Sequence, residues 1–331
     1  MHDTTRLRRW VHILLLLFLD VVLATVLVLI VFFIVYEMPS TSPNNLTNTK
    51  SITSGLSPSS SHSGEITHSS DWRSKFATHF TSKIVSTANS YSSPNLSIKI
   101  SKHTIGNGSN TLTYYIADIY MADIKSFQTH FANNTYDGGN QSLAEMSSEV
   151  GAILAMNGDS YSLNLSHLNG LLVRNGTVYR TNFTNADICV LYKDGTMVTS
   201  SPSSFNPQQA IKKGVLQTWV FGPKLLDENG RALKEFNTWD YIRKNHPRSA
   251  IGYFEPGHYS FVVADGRQDN YSRGMLLPEL AAVFEDLGCV AAYNLDGGNT
   301  TFMTLHSAVV NHPSKPSKKI MDSVYIAEPT N

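Results

Sequence analysis

Apolar residues run almost unbroken from Trp10 to Tyr36, interrupted only by His12, Asp20 and Thr25. This run exceeds the ~20 residues that a helix needs to cross a bilayer. A cleaved signal peptide has an apolar core of only ~7–15 residues and a small-residue cleavage site. Val35-Tyr36-Glu37-Met38-Pro39 offers no such site. The pattern therefore predicts an uncleaved transmembrane signal anchor over 10–36. Arg6, Arg8 and Arg9 precede it, so residues 1–9 should form a cytoplasmic basic tail and the rest should lie outside the cell membrane. Residues 37–70 are rich in Ser, Thr, Asn and Pro, cannot bury much surface, and read as a linker. Residues 71–331 are then expected to be one large extracellular domain.

Within that domain the apolar positions come in short runs closed by turn residues, which is how strands read. Asp71–Ala88 is expected to be an opening helix. Ile98-Lys99-Ile100 and Tyr114–Tyr120 predict two strands joined at Gly106-Asn107-Gly108. Leu143–Glu149 predicts a short helix, and Ala152–Met156 a strand that ends at Asn157-Gly158-Asp159. Asn175-Gly176 and Asp194-Gly195 mark two further hairpin corners. These elements predict the α+β (mixed α/β) class, with a mixed β-sheet, packed helices and one preceding transmembrane helix.

The clearest unit is the last third. Tyr259–Ala264 reads as a strand ending at Asp265-Gly266-Arg267. Pro278 then opens a helix in which Leu280, Val283, Phe284 and Leu287 follow helical spacing, and Gly288 ends it. The strand Val290–Leu295 follows and delivers Asn294-Leu295-Asp296-Gly297-Gly298. A strand, a helical crossover and a second strand normally run parallel. Asp265 and Asp296 should then emerge at one sheet edge, where open α/β sheets bind ligands. Gly297 and Gly298 would let the backbone turn sharply or approach a ligand closely. A plain Asp-Gly turn is the bland alternative at either site.

Arg248, in His246-Pro247-Arg248-Ser249-Ala250, is followed by small residues that could fix its guanidinium. Its planar fork of donors suits phosphate or carboxylate, and a structural salt bridge is the alternative. Glu279 falls in the first turn of the predicted helix, where a carboxylate also serves the helix dipole.

Composition narrows the field. Net charge is zero and no basic cluster interleaves with aromatics, so nucleic acid is not an expected partner. The two cysteines, Cys189 and Cys289, make no disulfide scaffold, and unpaired buried thiols are preferred over a bridge. Asn-x-Ser/Thr triplets at Asn95, Asn164, Asn175, Asn182 and Asn299 read as bacterial composition in preference to glycan sites. Clustered Asp and Asn oxygens suit calcium or magnesium, so a divalent cation stays open as a cofactor, though no loop spacing specifies one. No dinucleotide fingerprint or phosphate-binding glycine loop appears.

The ordered set Pro247-Arg248-Ser249-Ala250-Ile251-Gly252, Asp265-Gly266-Arg267, Glu279-Leu280-Ala281 and Asn294-Leu295-Asp296-Gly297-Gly298 resembles the phosphodiester glycosidase family. Asn157-Gly158-Asp159, Asn169-Gly170, Phe221-Gly222-Pro223 and Val310-Asn311-His312-Pro313 extend the resemblance from about Ile98 to Ile326. Asn299-Thr300 and Ser249 depart from the family's usual Gly-Ser and Thr, and Tyr161 and Lys318 or Lys319 also stand at departures.

The resemblance implies hydrolysis of a sugar 1-phosphate esterified to a second alcohol, within a carbohydrate or glycosyl-phosphate polymer. It implies that Arg248 and Arg267 hold the phosphodiester and that Asp296 or Asp265 acts as base or nucleophile. Asp159 and Glu279 stand in reserve. Asn157, Asn294 and Asn311 would bind sugar hydroxyls or an acyl-amino group, with His246 a further binding candidate. A non-catalytic glycan-binding or polysaccharide-assembly protein and a glycosyl or phosphoglycosyl transferase are the competing readings.

Overall fold

The computed structural model describes residues 69–160 and 170–329, all within one compact unit spanning 64–331. The expected tail and transmembrane anchor, nearly all of the linker, Tyr161, Asn164 and Asn169 lie outside the described residues. Among the described residues no helix is long and apolar enough to cross a membrane.

The first helix, α1 (Ser69–Lys75), is shorter than the expected Asp71–Ala88. Trp72 within it and Phe76 just after it are buried, and the chain beyond them, largely exposed, passes through a tight turn at Ala77–His79 into β1 (Val85–Ser86). β2 (Ser90–Ser92) leads to the two long strands β3 (Leu96–Ile105) and β4 (Leu112–Met121), joined at the predicted Gly106–Gly108 corner. Both glycines there have positive φ.

β5 (Phe127–Phe131) and α2 (Leu143–Glu149) follow. α2 matches its predicted bounds because Ser142 and Glu145 close a capping box, each accepting the other's backbone N–H at 3.2 Å. β6 (Leu154–Asn157) ends at Asn157. The predicted corners at Asn175-Gly176 and Asp194-Gly195 form hairpins between β7 (Leu171–Arg174) and β8 (Thr177–Thr181), and between β9 (Ile188–Tyr192) and β10 (Met197–Ser200).

After α3 (Pro207–Lys213), β11 (Val215–Trp219) and the short α4 (Asp240–Arg243) come β12 (Arg248–Glu255) and β13 (His258–Ala264). The predicted crossover helix is α5 (Leu277–Leu287), and β14 (Ala291–Asn294) follows it. β15 (Met303–Leu305), β16 (Ala308–Val309) and β17 (Asp322–Ile326) complete the described strands.

A seven-stranded sheet runs in the order β1-β2-β3-β4-β13-β12-β14, and a five-stranded sheet in the order β16-β15-β6-β17-β5. Ile98, Ile119, Phe261 and Tyr293 of the first pack with Met156, Val324 and Ile326 of the second. Leu280, Ala281 and Phe284 of α5 pack with Ala250, Val262 and Ala292 on the other side of the seven-stranded sheet. Helix and two sheets therefore form layers around apolar interiors, an α+β arrangement.

The expected mixed sheet is corrected: the named strand pairings are all antiparallel. β13 and β14 do run in the same direction, but each pairs antiparallel with β12, which lies between them. Arg248, at the start of β12, faces Ala264 at the end of β13, and Ala250 faces Asn294 at the end of β14. One sheet edge thus collects Arg248, Asp265 and Asp296.

Candidate active site

A cleft of about 260 Å³ opens at that edge. Leu295, Asp296, Gly297, Gly298, Asn299 and Thr300 line it together with His246, Pro247, Arg248 and Arg267, and Phe221, Tyr241, Ile242 and Lys318 complete it. The loop after β14 fits only because glycines follow Asp296. A Cβ on Gly297 would come 2.7 Å from the Pro247 carbonyl, and Gly298 has φ +67°. The Gly298 N–H donates to that same carbonyl at 2.8 Å.

Asp296 is the one carboxylate among the described residues that line the cleft. Its Oδ1 accepts from the Gly297 N–H and its Oδ2 from the Thr300 hydroxyl, both at 2.9 Å. Burial raises its pKa to about 6, outweighing those two bonds. Thr300, in place of the usual Ser, still supplies this hydroxyl. Asn299, in place of the usual Gly, adds a contact: its Oδ1 accepts from Arg267 Nη1 at 2.9 Å.

Arg248 is buried and forms no ion pair among the described residues. The structural salt bridge weighed for it is absent there; Nε donates to the Met275 carbonyl and Nη2 to those of Ile242 and Lys244. Burial, with Arg267 close by, lowers its pKa to about 10, so it remains cationic at neutral pH.

Arg267 Nη2 meets the Tyr241 hydroxyl and His246 Nδ1, each at 3.1 Å. His246 Nε2 lies 2.7 Å from the Tyr241 carbonyl. Nε2 must therefore donate to that carbonyl while Nδ1 accepts from Arg267, which defines a neutral imidazole. Burial and the neighbouring cations lower its pKa accordingly. Three cations thus face one carboxylate, a balance suited to an anionic ligand.

The other predicted site residues do not line this cleft. Asp265 lies behind it as a hub, accepting from Asn311 Nδ2, the Tyr271 hydroxyl and the His312 N–H. Asn311 is spent on Asp265, the Thr301 carbonyl and the Met303 N–H. Asn157 donates to the Asp296 carbonyl and accepts from the Ser249 hydroxyl and the Phe302 N–H. Asn294 Nδ2 donates to the carbonyls of Gly222 and Leu295. These asparagines hold the chain around the cleft through the bonds they make.

Asp159 accepts from the Val220, Phe221 and Ser160 N–H groups, and burial raises its pKa to about 7. Glu279 caps α5 through the Leu276 N–H and pairs with Arg273. Its structural alternative is the role the geometry supports.

Sequence reasoning missed the buried pair of Arg174 with Asp322, whose Oδ1 also accepts from the Asp159 N–H. It also missed Tyr241 and the use of Thr300. Tyr241 lies in a polar stretch without periodicity, and no local signal marked it. Residue type alone did not show that the turn at Gly297 and Gly298 brings the Thr300 hydroxyl back to Asp296.

The residues do not fit the divalent cation held open above. Among the described residues no three His, Cys, Asp or Glu gather to hold a metal ion, and the Asp oxygens already accept N–H and O–H groups. Cys189 and Cys289 are both free and buried, as preferred.

The phosphodiester glycosidase family model matches residues 150–327. The SPbeta prophage-derived uncharacterized protein YomE of Bacillus subtilis (strain 168) is 25% identical over 194 residues, 57% of this chain and 30% of its own length. N-acetylglucosamine-1-phosphodiester alpha-N-acetylglucosaminidase of Mus musculus is 25% identical over 179 residues, 50% of this chain and 34% of its own length. The chain thus spans about a third of these curated relatives.

Among solved structures, the zebrafish N-acetylglucosamine-1-phosphodiester alpha-N-acetylglucosaminidase catalytic domain, auto-inhibited by its pro-peptide, aligns with TM-score 0.58 and 21% identity. That match covers 83% of this chain and 96% of the zebrafish domain. A hypothetical protein from Synechocystis aligns with TM-score 0.53 and 12% identity, over 71% and 62% of the two chains. With the family model matching more than half of its length, this chain belongs to the phosphodiester glycosidase family.

Proposed function

We propose that this domain hydrolyses a glycosyl phosphodiester, releasing a sugar and a phosphate monoester. The observation that carries the reading is the pairing, in one cleft, of Asp296 with two arginines that lack carboxylate partners there. The mouse relative's name specifies a phosphodiester-linked sugar, which agrees with an anion-holding cleft.

In this reading Arg248 and Arg267 bind the phosphate oxygens, and their charge stabilises the departing phosphate monoester. The anomeric C–O bond breaks and its electrons leave with the phosphate. Asp296, ionised, acts at the anomeric carbon as base or nucleophile, and water supplies the new anomeric hydroxyl. Most glycosidases use a second carboxyl group to protonate the leaving oxygen. A phosphate leaving group already carries its charge well, so one carboxylate is sufficient.

The apolar run from Trp10 to Tyr36 supports attachment to the cell membrane, with this domain on the outer side and a cell-surface or exopolysaccharide substrate. Protease treatment of intact cells should remove the domain; protection of the domain would contradict that placement. For the activity, purified protein should release reducing sugar from a glycosyl phosphodiester and the Asp296→Asn variant should not. Equal release by both would remove Asp296 from the reaction.

A further inference from the structure

We propose that a second cavity, remote from the cleft, binds a small zwitterion: an amino acid or short peptide whose ammonium meets Glu328 and whose carboxylate meets Lys125. The inference does not depend on the function proposed above. The cavity has a volume of about 460 Å³ and lies at the other end of β6. Ile153, just before that strand, lines it, whereas Asn157, at the strand's far end, reaches the Asp296 carbonyl beside the cleft.

Glu328 is the half-buried carboxylate of this cavity. Its Oε1 accepts from the Tyr91 hydroxyl at 2.9 Å and its Oε2 from Asn95 Nδ2 at 2.7 Å. Burial, with Glu328 beside it, pushes the Tyr91 hydroxyl up to about 12, so the phenol stays a donor. Neutral groups thus fix the carboxylate, and it forms no ion pair among the described residues. Lys125, exposed on the same cavity, forms none there either. The segments that carry the two charges run side by side: Tyr325 pairs with Gln128 in the β17–β5 ladder, and the Ala327 N–H donates to the Ser126 carbonyl at 3.1 Å. Opposite charges on neighbouring segments, unpaired with each other and facing one cavity, are what a zwitterion completes.

The rest of the lining suits the body of such a ligand. Tyr91, Tyr325 and His306 present three rings to it, surface for a ligand side chain and for the ammonium itself. His306 is placed there by a strained turn. His306 (φ +49°) and Ser307 (φ +64°) join β15 to β16 at a two-residue corner where Asn-Gly is the usual pair. The imidazole is held, with Nε2 2.9 Å from the Ser86 hydroxyl and the ring edge-on to Tyr91, centroids 5.5 Å apart. A neutral or apolar ligand would take both charges out of water without pairing either, and a lone cation or anion would leave one unpaired.

The test is calorimetric titration of the full chain with glycyl-tyrosine, its N-acetyl form and its C-terminal amide. Wild type should bind the free dipeptide saturably and each blocked form about fivefold or more weaker. Glu328→Gln and Lys125→Met should each weaken the free dipeptide by a similar factor. The pairing is read from the crossed measurements: acetylation should cost nothing further in Glu328→Gln, and amidation nothing further in Lys125→Met. Lys125 is exposed, so its variant carries the test alone should Glu328→Gln fail to fold. No saturable binding by wild type, blocked forms that bind as well as the free dipeptide, or losses that simply multiply across variant and blocking group would overturn the site.

Discussion

The side-chain amide of Asn157 donates to the backbone carbonyl of Asp296 at 2.7 Å, joining the end of β6 to the loop after β14. Asn157 belongs to the five-stranded sheet and Asp296 follows a strand of the seven-stranded one, and the same Asn157 accepts from the Ser249 hydroxyl on β12. The Asp296 backbone is thus held from the neighbouring sheet as well as from the strand that leads to it. Replacing Asn157 with Ala leaves a carbonyl, a hydroxyl and the Phe302 N–H short of partners. We expect a stability loss of about 1–3 kcal/mol in urea denaturation. A fall in kcat of tenfold or more should accompany it, and unchanged kcat would show that Asp296 needs no such support.

Arg267 is the more accessible of the two guanidinium groups, tied to Asn299, Tyr241 and His246 instead of to a carboxylate. Arg267→Ala should raise KM for a glycosyl phosphodiester about tenfold or more and weaken inhibition by inorganic phosphate in parallel. Stability should change little, because the group lies at the cleft surface. Steady-state kinetics with and without phosphate measures both effects, and intact phosphate inhibition would contradict the assignment.

The raised pKa of Asp296, about 6, has two consequences of opposite sign. If the ionised form works, kcat/KM should rise with pH and level off above about 6. Stability should move the other way. The folded pKa exceeds the ~3.9 of an unfolded Asp, so the folded state retains the proton between the two values. This contribution is complete below pH ~4 and is lost as pH rises through about 6. Asp296→Asn should remove that loss, gaining up to about 3 kcal/mol relative to wild type at pH 7 and almost nothing near pH 4. Denaturant titrations at the two pH values measure it, and an equal difference at both would contradict the shift.

Glu279 belongs to the helix. It accepts the Leu276 N–H at 2.9 Å and pairs with Arg273, while lying outside the cleft. Glu279→Ala should cost about 1 kcal/mol of stability, in the range of a lost cap. Its kcat/KM should stay within twofold of wild type. A hundredfold fall in kcat at unchanged stability would return Glu279 to the reaction.

What the sequence made legible was local or directional. The strand–helix–strand reading correctly brought Asp265 and Asp296 to one edge, because a crossover helix fixes the sense of the strand it leads to. It did not reveal that β12 inserts between them, since pairing partners are set by long-range packing. Glycines at Gly297 and Gly298 signalled a close approach, and the Pro247 carbonyl is what approaches. Asp265, Asn157 and Asn311 lie outside the cleft lining, and residue type alone does not show which donors and acceptors the fold engages. The Arg174–Asp322 pair joins residues 148 apart, beyond any local pattern.

The central claim is that the cleft breaks the bond between the anomeric carbon and the phosphate oxygen. Hydrolysis of a glycosyl phosphodiester in ¹⁸O-labelled water tests it most directly, with products read by mass spectrometry. The label should appear in the anomeric hydroxyl of the released sugar, the phosphate monoester should stay unlabelled, and Asp296→Asn should abolish the reaction. Label in the phosphate would mean attack at phosphorus, and would contradict the account.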